Sequence, residues 1–303
     1  MKIKKIRKMK FKKIKKIISL IGIVSLASLF VVWTVTGLLV NEGIFAGINN
    51  TETYTVKISG STTCLPVISE CAEEFMKKYT NYDIQITGGG SSVGITQVGE
   101  EVVDIGMSSR ELKSSELNQY KELKTFSFAS DGIAVIKSTS SNAPNGLTME
   151  QLRGIYNGTY TNWNDVGGDS GTVVLMGRDS ASGTRVSFEE LTGLTKDSDY
   201  ADYKSHIQEF NSNGGLHDAV ENNDNAIGYV GLGYVDSDVK GIAINGIMPT
   251  VSSVKAMTYP ISRSLCLITN GKPKEEQLTF LNYIFGPEGQ EIVLDEGFVS
   301  LYL

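Results

Sequence analysis

Residues 86–95 read ITGGGSSVGI. Three glycines and two serines stand between "YDIQIT" (82–87), which alternates like a strand, and "SVGITQVGEE" (92–101), which reads as a short helix. The run is therefore a strand-to-helix turn. A chain built from such units folds as an α/β protein, with mainly parallel sheets flanked by helices. Taken alone, the turn supports three readings. It is a simple helix cap, because serine is a preferred cap. It is an anion cradle, in which free amides and the positive helix end face a ligand that glycine lets the backbone approach. Or it is a nucleophile elbow, because Gly90-Ser91-Ser92-Val93-Gly94 fits G-x-S-x-G.

The same alternation runs outward in both directions. "YTVKIS" (54–59), "VVDIGMS" (102–108), "KTFSFASDGIAVIKS" (124–138), "GTVVLMGR" (171–178), "AIGYVGL" (226–232), "VKGIAI" (239–244) and "SRSLCLITN" (262–270) read as strands. Leu65, Ile68, Ala72, Phe75 and Tyr79 mark one face of a helix, with Pro66 in its first turn. "TMEQLRGIYNG" (148–158), with Thr148 and Gln151 spaced as a capping box, "SGTRVSFEELTG" (182–193), "GGLHDAVEN" (214–222) and "PKEEQLTFLNYIFG" (273–286) are further helices. About 250 residues of this pattern are enough for two domains.

Two more turns share the design of the first. "ISGSTTCLP" (58–66) carries Ser61, Thr62 and Thr63 between a strand and a helix. "GRDSASGTRVSF" (177–188) carries Ser182, Gly183 and Thr184 at a helix start. Three hydroxyl-bearing helix N-termini, with Arg110 and Arg178 close by in sequence, favour an oxyanion site over three unrelated caps. Arginine supplies paired hydrogen bonds to phosphate-like oxygens. Asn211, Ser212 and Asn213 form another polar turn, either a cap or a cleft lining.

The elbow reading would use Ser92 as the nucleophile of a secreted serine hydrolase and needs a histidine. Only His206 and His217 exist, and both lie in segments that read as polar helix surface. No GK[ST] follows a glycine run, which argues against a nucleotide-binding loop. No CxxC or HxxxH spacing supports a metal, and no cofactor motif occurs. Cys64, Cys71 and Cys266 are read as buried thiols; the first two lie too far apart along one helix to bridge.

The 303 residues carry a net charge of −6, which hides an asymmetry. Residues 1–16 hold ten basic side chains and no acid, whereas the remainder carries 18 basic against 34 acidic residues. A strongly acidic remainder argues against a nucleic-acid partner. Residues 17–40 contain no charged residue and are long enough to span a bilayer core of roughly 30 Å. They read as a membrane anchor or a secretory signal, with 1–16 cytoplasmic, 41–53 a tether, and everything beyond extracytoplasmic. The protein is then held at the cell membrane, or secreted if the segment is cleaved. Asn49 and Asn157 lie in glycosylation sequons.

The segments "SGSTTCLPVISECAEEFMKKY", "GGGSSVGITQVGEEVVDIGMSSREL", "FASDGIAVIKS", "EQLRGIYNGTYTNWNDVGG" and "GRDSASGTRVSFEEL" resemble the phosphate-binding proteins of phosphate ABC transporters. The resemblance runs from about residue 54 to the C-terminus. It implies a two-lobed periplasmic-binding-protein type II fold, with lobe 1 at 54–132 and 260–303 and lobe 2 at 133–259. It implies no catalysis, a monomer that closes on inorganic phosphate, and delivery to permease subunits. By motif, Thr62 and Thr63 match the first phosphate turn, Ser91 with Ser92 the second, and Arg178, Ser182, Gly183 and Thr184 the third. Arg110 follows the segment where many members carry an aspartate that accepts the phosphate proton. Here that position is Ser109, so another carboxylate is needed. Asp131 is the candidate, with a hinge or capping role as the alternative, ahead of Asp104 and Asp179. Without such a carboxylate the receptor takes other tetrahedral oxyanions, such as sulfate or molybdate.

Overall fold

The computed structural model describes residues 52–301. The expected basic segment, anchor and nearly all of the tether lie outside the described residues. No helix among the described residues is long and apolar enough to cross a membrane.

The strands are β1 (Tyr54–Gly60), β2 (Tyr82–Gly88), β3 (Ile105–Ser108), β4 (Leu123–Ser138), β5 (Gly146–Leu147), β6 (Val174–Arg178), β7 (Gln208–Phe210), β8 (Ala226–Gly231), β9 (Val239–Gly241), β10 (Ala243–Ile244), β11 (Ser262–Asn270) and β12 (Val299–Ser300). The main sheet runs β2-β1-β3-β11-β4-β8-β6-β7, with β9 and β12 also paired to β4. Its two flanks are parallel: β1 with β2 and β3, and β6 with β7 and β8. The centre differs from the expected parallel order. β11 pairs antiparallel with β3 and β4, and β4 antiparallel with β8 and β9. The reason is topological. The chain crosses the middle on β4 and returns on β11, and a return strand laid beside its outgoing partner runs the opposite way.

Helix starts follow the local chemistry. Thr148 and Gln151 form the expected capping box of helix Met149–Tyr156. Pro66 sits in the first turn of helix Leu65–Lys78. Two large hydrophobic clusters result. One gathers Val56, Ile58, Phe75, Phe128, Leu265 and Phe280. The other gathers Ile133, Val135, Trp163, Phe188, Ile227 and Ile261. β4 leaves the first after Ala129 and enters the second at Ile133; Ile261, just before β11, lies in the second, and Leu265 within β11 lies in the first. Asp131 and Arg263 fall in these two gaps, directly opposite each other in the β4–β11 register.

Candidate functional site

Each of the three hydroxyl turns sits where a parallel strand gives way to a helix. Residues 61–64 connect β1 to helix Leu65–Lys78, Gly89 and Gly90 connect β2 to helix Ser91–Gly99, and residues 179–182 connect β6 to helix Gly183–Thr192. Gly90 has φ +94°, and a Cβ there would stand 2.6 Å from the Ala181 carbonyl oxygen, so this turn requires glycine twice over. The Ser92 amide donates to that same carbonyl at 3.1 Å, tying the second turn to the third.

The turns meet. The Thr63 and Thr184 hydroxyls lie 3.0 Å apart. Asn213 Nδ2 donates to both Thr62 Oγ1 (3.1 Å) and Thr63 Oγ1 (3.0 Å). Ser91 Oγ accepts from the Ser109 amide at 3.1 Å and lies 3.3 Å from the Ser109 hydroxyl. Ser182 caps its helix by accepting from the Arg185 amide at 3.2 Å. Thr62, Thr63, Ser91, Ser182, Thr184 and Asn213 are all buried.

Two guanidinium groups border these hydroxyls. Arg178 donates through Nε to the Phe210 carbonyl (3.1 Å), and through Nη2 to the Asn211 carbonyl (3.2 Å) and Thr62 Oγ1 (3.1 Å). Its Nη1 is buried without a partner among the described residues. Burial pushes Arg178 down from the usual arginine value to about 10. Arg263, which sequence reasoning missed, donates to Asp131 Oδ2 through Nε (3.0 Å) and Nη2 (2.8 Å), and through Nη2 to Thr63 Oγ1 (3.2 Å). Asp131 is fully buried, and its Oδ1 accepts from the Leu232 amide at 2.9 Å. Burial raises the Asp131 carboxyl, opposed by Arg263 and the Leu232 amide.

Not every expected residue joins the cluster. Arg110 turns away. Its guanidinium pairs with Glu116 at 2.6 and 2.8 Å, and also donates to the Ser92 hydroxyl at 3.0 Å. Glu116 lies six residues on, at the start of the next helix, and takes both Nη groups of this arginine, whose buried Nε has no partner among the described residues. Ser92 is thereby held by Arg110 rather than by a histidine. Asp104 bonds the Lys57 amide and Gln277. His217 also departs from its expected place on a polar surface. It is buried, with Nδ1 3.3 Å from Asp218 and Nε2 3.1 Å from Asp236. His217, Asp218 and Glu221 bring donor atoms within 4.8 Å of one another. Both ring nitrogens of His217 already face carboxylates, so the group reads as an ion-pair cluster.

The cluster thus offers a buried wall of hydroxyls and two cations against one carboxylate. Its excess positive charge, shielded from water, is costly unless an anion joins it.

A family profile described as a PBP superfamily domain matches residues 47–288. The phosphate-binding protein PstS of Borreliella burgdorferi is 32% identical over 81% of this chain and 90% of its own length. That of Bacillus subtilis is 30% identical over 80% of each. Among solved structures, a phosphate ABC transporter substrate-binding protein from Clostridium perfringens, with bound phosphate, superposes with a TM-score of 0.77 at 35% identity, covering 82% of this chain and 99% of that one. An ABC-type phosphate transport receptor from Vibrio cholerae gives 0.66 at 33% identity, covering 81% and 99%. With both the sheet order and these likenesses in hand, the chain belongs to the PBP superfamily, among the PstS phosphate-binding proteins.

Proposed function

We propose that the protein binds inorganic phosphate between two lobes and delivers it to the permease subunits of an ABC importer, acting outside the cytoplasm as a monomer without catalysing a reaction. The single observation that carries this is the buried cluster itself: Arg178, whose Nη1 has no partner among the described residues, donates to the Thr62 hydroxyl, which Asn213 links to Thr63 and so to Thr184. Such donors suit a tetrahedral oxyanion with several equivalent acceptors. The proposed lobes are 54–132 with 260–303, and 133–259; the two hydrophobic clusters support that division. Ser182 and the Gly183 amide complete the third turn of the site. The N-terminal segment 17–40 serves as anchor or signal.

The acidic composition gives no long-range attraction for an anion. Affinity therefore arises from short, desolvated hydrogen bonds, which closing the lobes strengthens by excluding water. Asp131 accepts the proton of hydrogen phosphate, in place of the acid that Ser109 replaces; its Oδ1 has a lone pair beyond the one used by Leu232.

Calorimetry of the full-length protein with phosphate and with sulfate tests this. Phosphate should bind with heat at micromolar protein, and sulfate should bind more weakly. No heat with phosphate overturns the function. Phosphate binding that survives Arg178→Ala unchanged overturns the site.

A further inference from the structure

We propose that Arg263 is a second guanidinium ligand of the bound anion, and that Asp131, opposite it on the crossing strands, limits how much negative charge the site accepts. This rests on reading the cluster as an oxyanion site.

The hydrogen-bond inventory carries the argument. A guanidinium has five N–H groups in a rigid fork. Arg263 directs Nε and Nη2 to one oxygen of Asp131, and Nη2 also reaches Thr63 Oγ1. The two hydrogens left, on Nη1, belong to a buried atom with no partner among the described residues. Arg178 shows the same pattern: Nε and Nη2 are used, Nη2 reaches the neighbouring hydroxyl of Thr62, and Nη1 is left over. The two arginines thus approach consecutive threonines whose hydroxyls are joined by one amide, Asn213 Nδ2. They are close enough to repel each other. Arg110, paired with Glu116, also keeps one buried donor, its Nε, but Arg263 keeps a whole Nη1 group and borders the same pair of hydroxyls as a second arginine.

Asp131 supplies the opposing charge. Both residues come from strands that pass between the two hydrophobic clusters, at facing register positions. The pair is therefore built into the crossing and not into either flank.

A double-variant cycle decides the matter: phosphate and sulfate titrations of the full-length protein, Arg263→Gln, Asp131→Asn and the combination, with folding checked by circular dichroism. Arg263→Gln should weaken phosphate binding about ten- to a hundredfold. The combined variant has no unpaired charge on this pair, so it should fold, and lacking the second guanidinium it should still bind phosphate clearly more weakly than the unaltered protein, by about tenfold. Asp131→Asn keeps both arginines and lifts the opposing charge, so sulfate should bind about tenfold tighter than to the unaltered protein. Recovery of unaltered phosphate affinity in the combined variant would make Arg263 a mere counter-ion and overturn the proposal. Unchanged sulfate affinity in Asp131→Asn would overturn the role of Asp131. If the unaltered protein ignores phosphate, the phosphate reading fails by itself; the same cycle with the oxyanion it does bind still decides Arg263, and binding of neither overturns both.

Discussion

Gly183 lies so close to Ser91 that a Cβ on it would stand 2.1 Å from the serine Oγ and 2.9 Å from Ser109 Oγ. The third turn thus presses its backbone against the side chain of the second. Gly183→Ala should force the two turns apart and weaken phosphate binding by roughly five- to a hundredfold, the range of an overpacked contact. Ser91→Gly alone removes one hydroxyl donor and should cost about five- to tenfold; added to Gly183→Ala it also relieves the crowding, so the combined loss should be smaller than the product of the two single losses. Titration of the three variants checks this.

Asn213 bridges Thr62 and Thr63 through Nδ2, while its Oδ1 accepts from the Gly231 amide at 3.2 Å. Asn213→Asp keeps the shape and the acceptor but replaces the donor with an anion beside the hydroxyls. Phosphate affinity should fall by at least about a hundredfold, from lost donors and from repulsion. Asn213→Ala should cost only about tenfold. Equal losses in the two variants would remove the electrostatic part of this account.

Arg110 and Glu116 form a bidentate pair outside the cluster, with only 1% of the arginine side chain exposed. Burial would raise the Glu116 carboxyl, but Arg110 and the Lys113 amide outweigh it and hold it below the usual carboxylate value. A lowered folded-state value gives stability that is present above about pH 4.3 and is lost as pH falls through the folded value. Arg110→Gln should destabilise by about 1–3 kcal/mol at neutral pH, with a smaller penalty in acid, and should change phosphate affinity little. Thermal melts at several pH values, alongside titrations, check both halves.

His217 has the opposite sign. Burial alone would lower it, but Asp236 and Asp218 outweigh burial and raise it above the ordinary value. Its charged form contributes stability that is fully present below about pH 6.5 and is lost as pH rises through the folded value. The melting midpoint of the protein should decline on that alkaline side. In His217→Gln this part of the decline should disappear.

What was legible in the sequence was local. "SRSLCLITN" predicted β11 residue for residue, and the three turns announced themselves because strand, glycine, hydroxyl and helix are contiguous. The long-range parts were not legible. Arg263 meets its carboxylate 132 residues away in sequence, on a strand whose pairing direction no local pattern encodes. Arg110 shows the converse. It adjoins Ser108 and Ser109, yet the acid that takes it lies in the next helix start. "GGLHDAVEN" read as polar helix surface. Leu216, His217 and Val220 share the side that is buried.

Cys64 follows Thr63 directly and is fully buried, its thiol pushed up to about 12 by burial. At neutral pH almost none of it is thiolate, and alkylating reagents attack the thiolate. The protein therefore carries a native clock one residue from the first turn. Cys64 should react only when that turn is uncovered, and its labelling rate, timed against Cys71 and Cys266 in the same chain, counts those openings with no reporter group added.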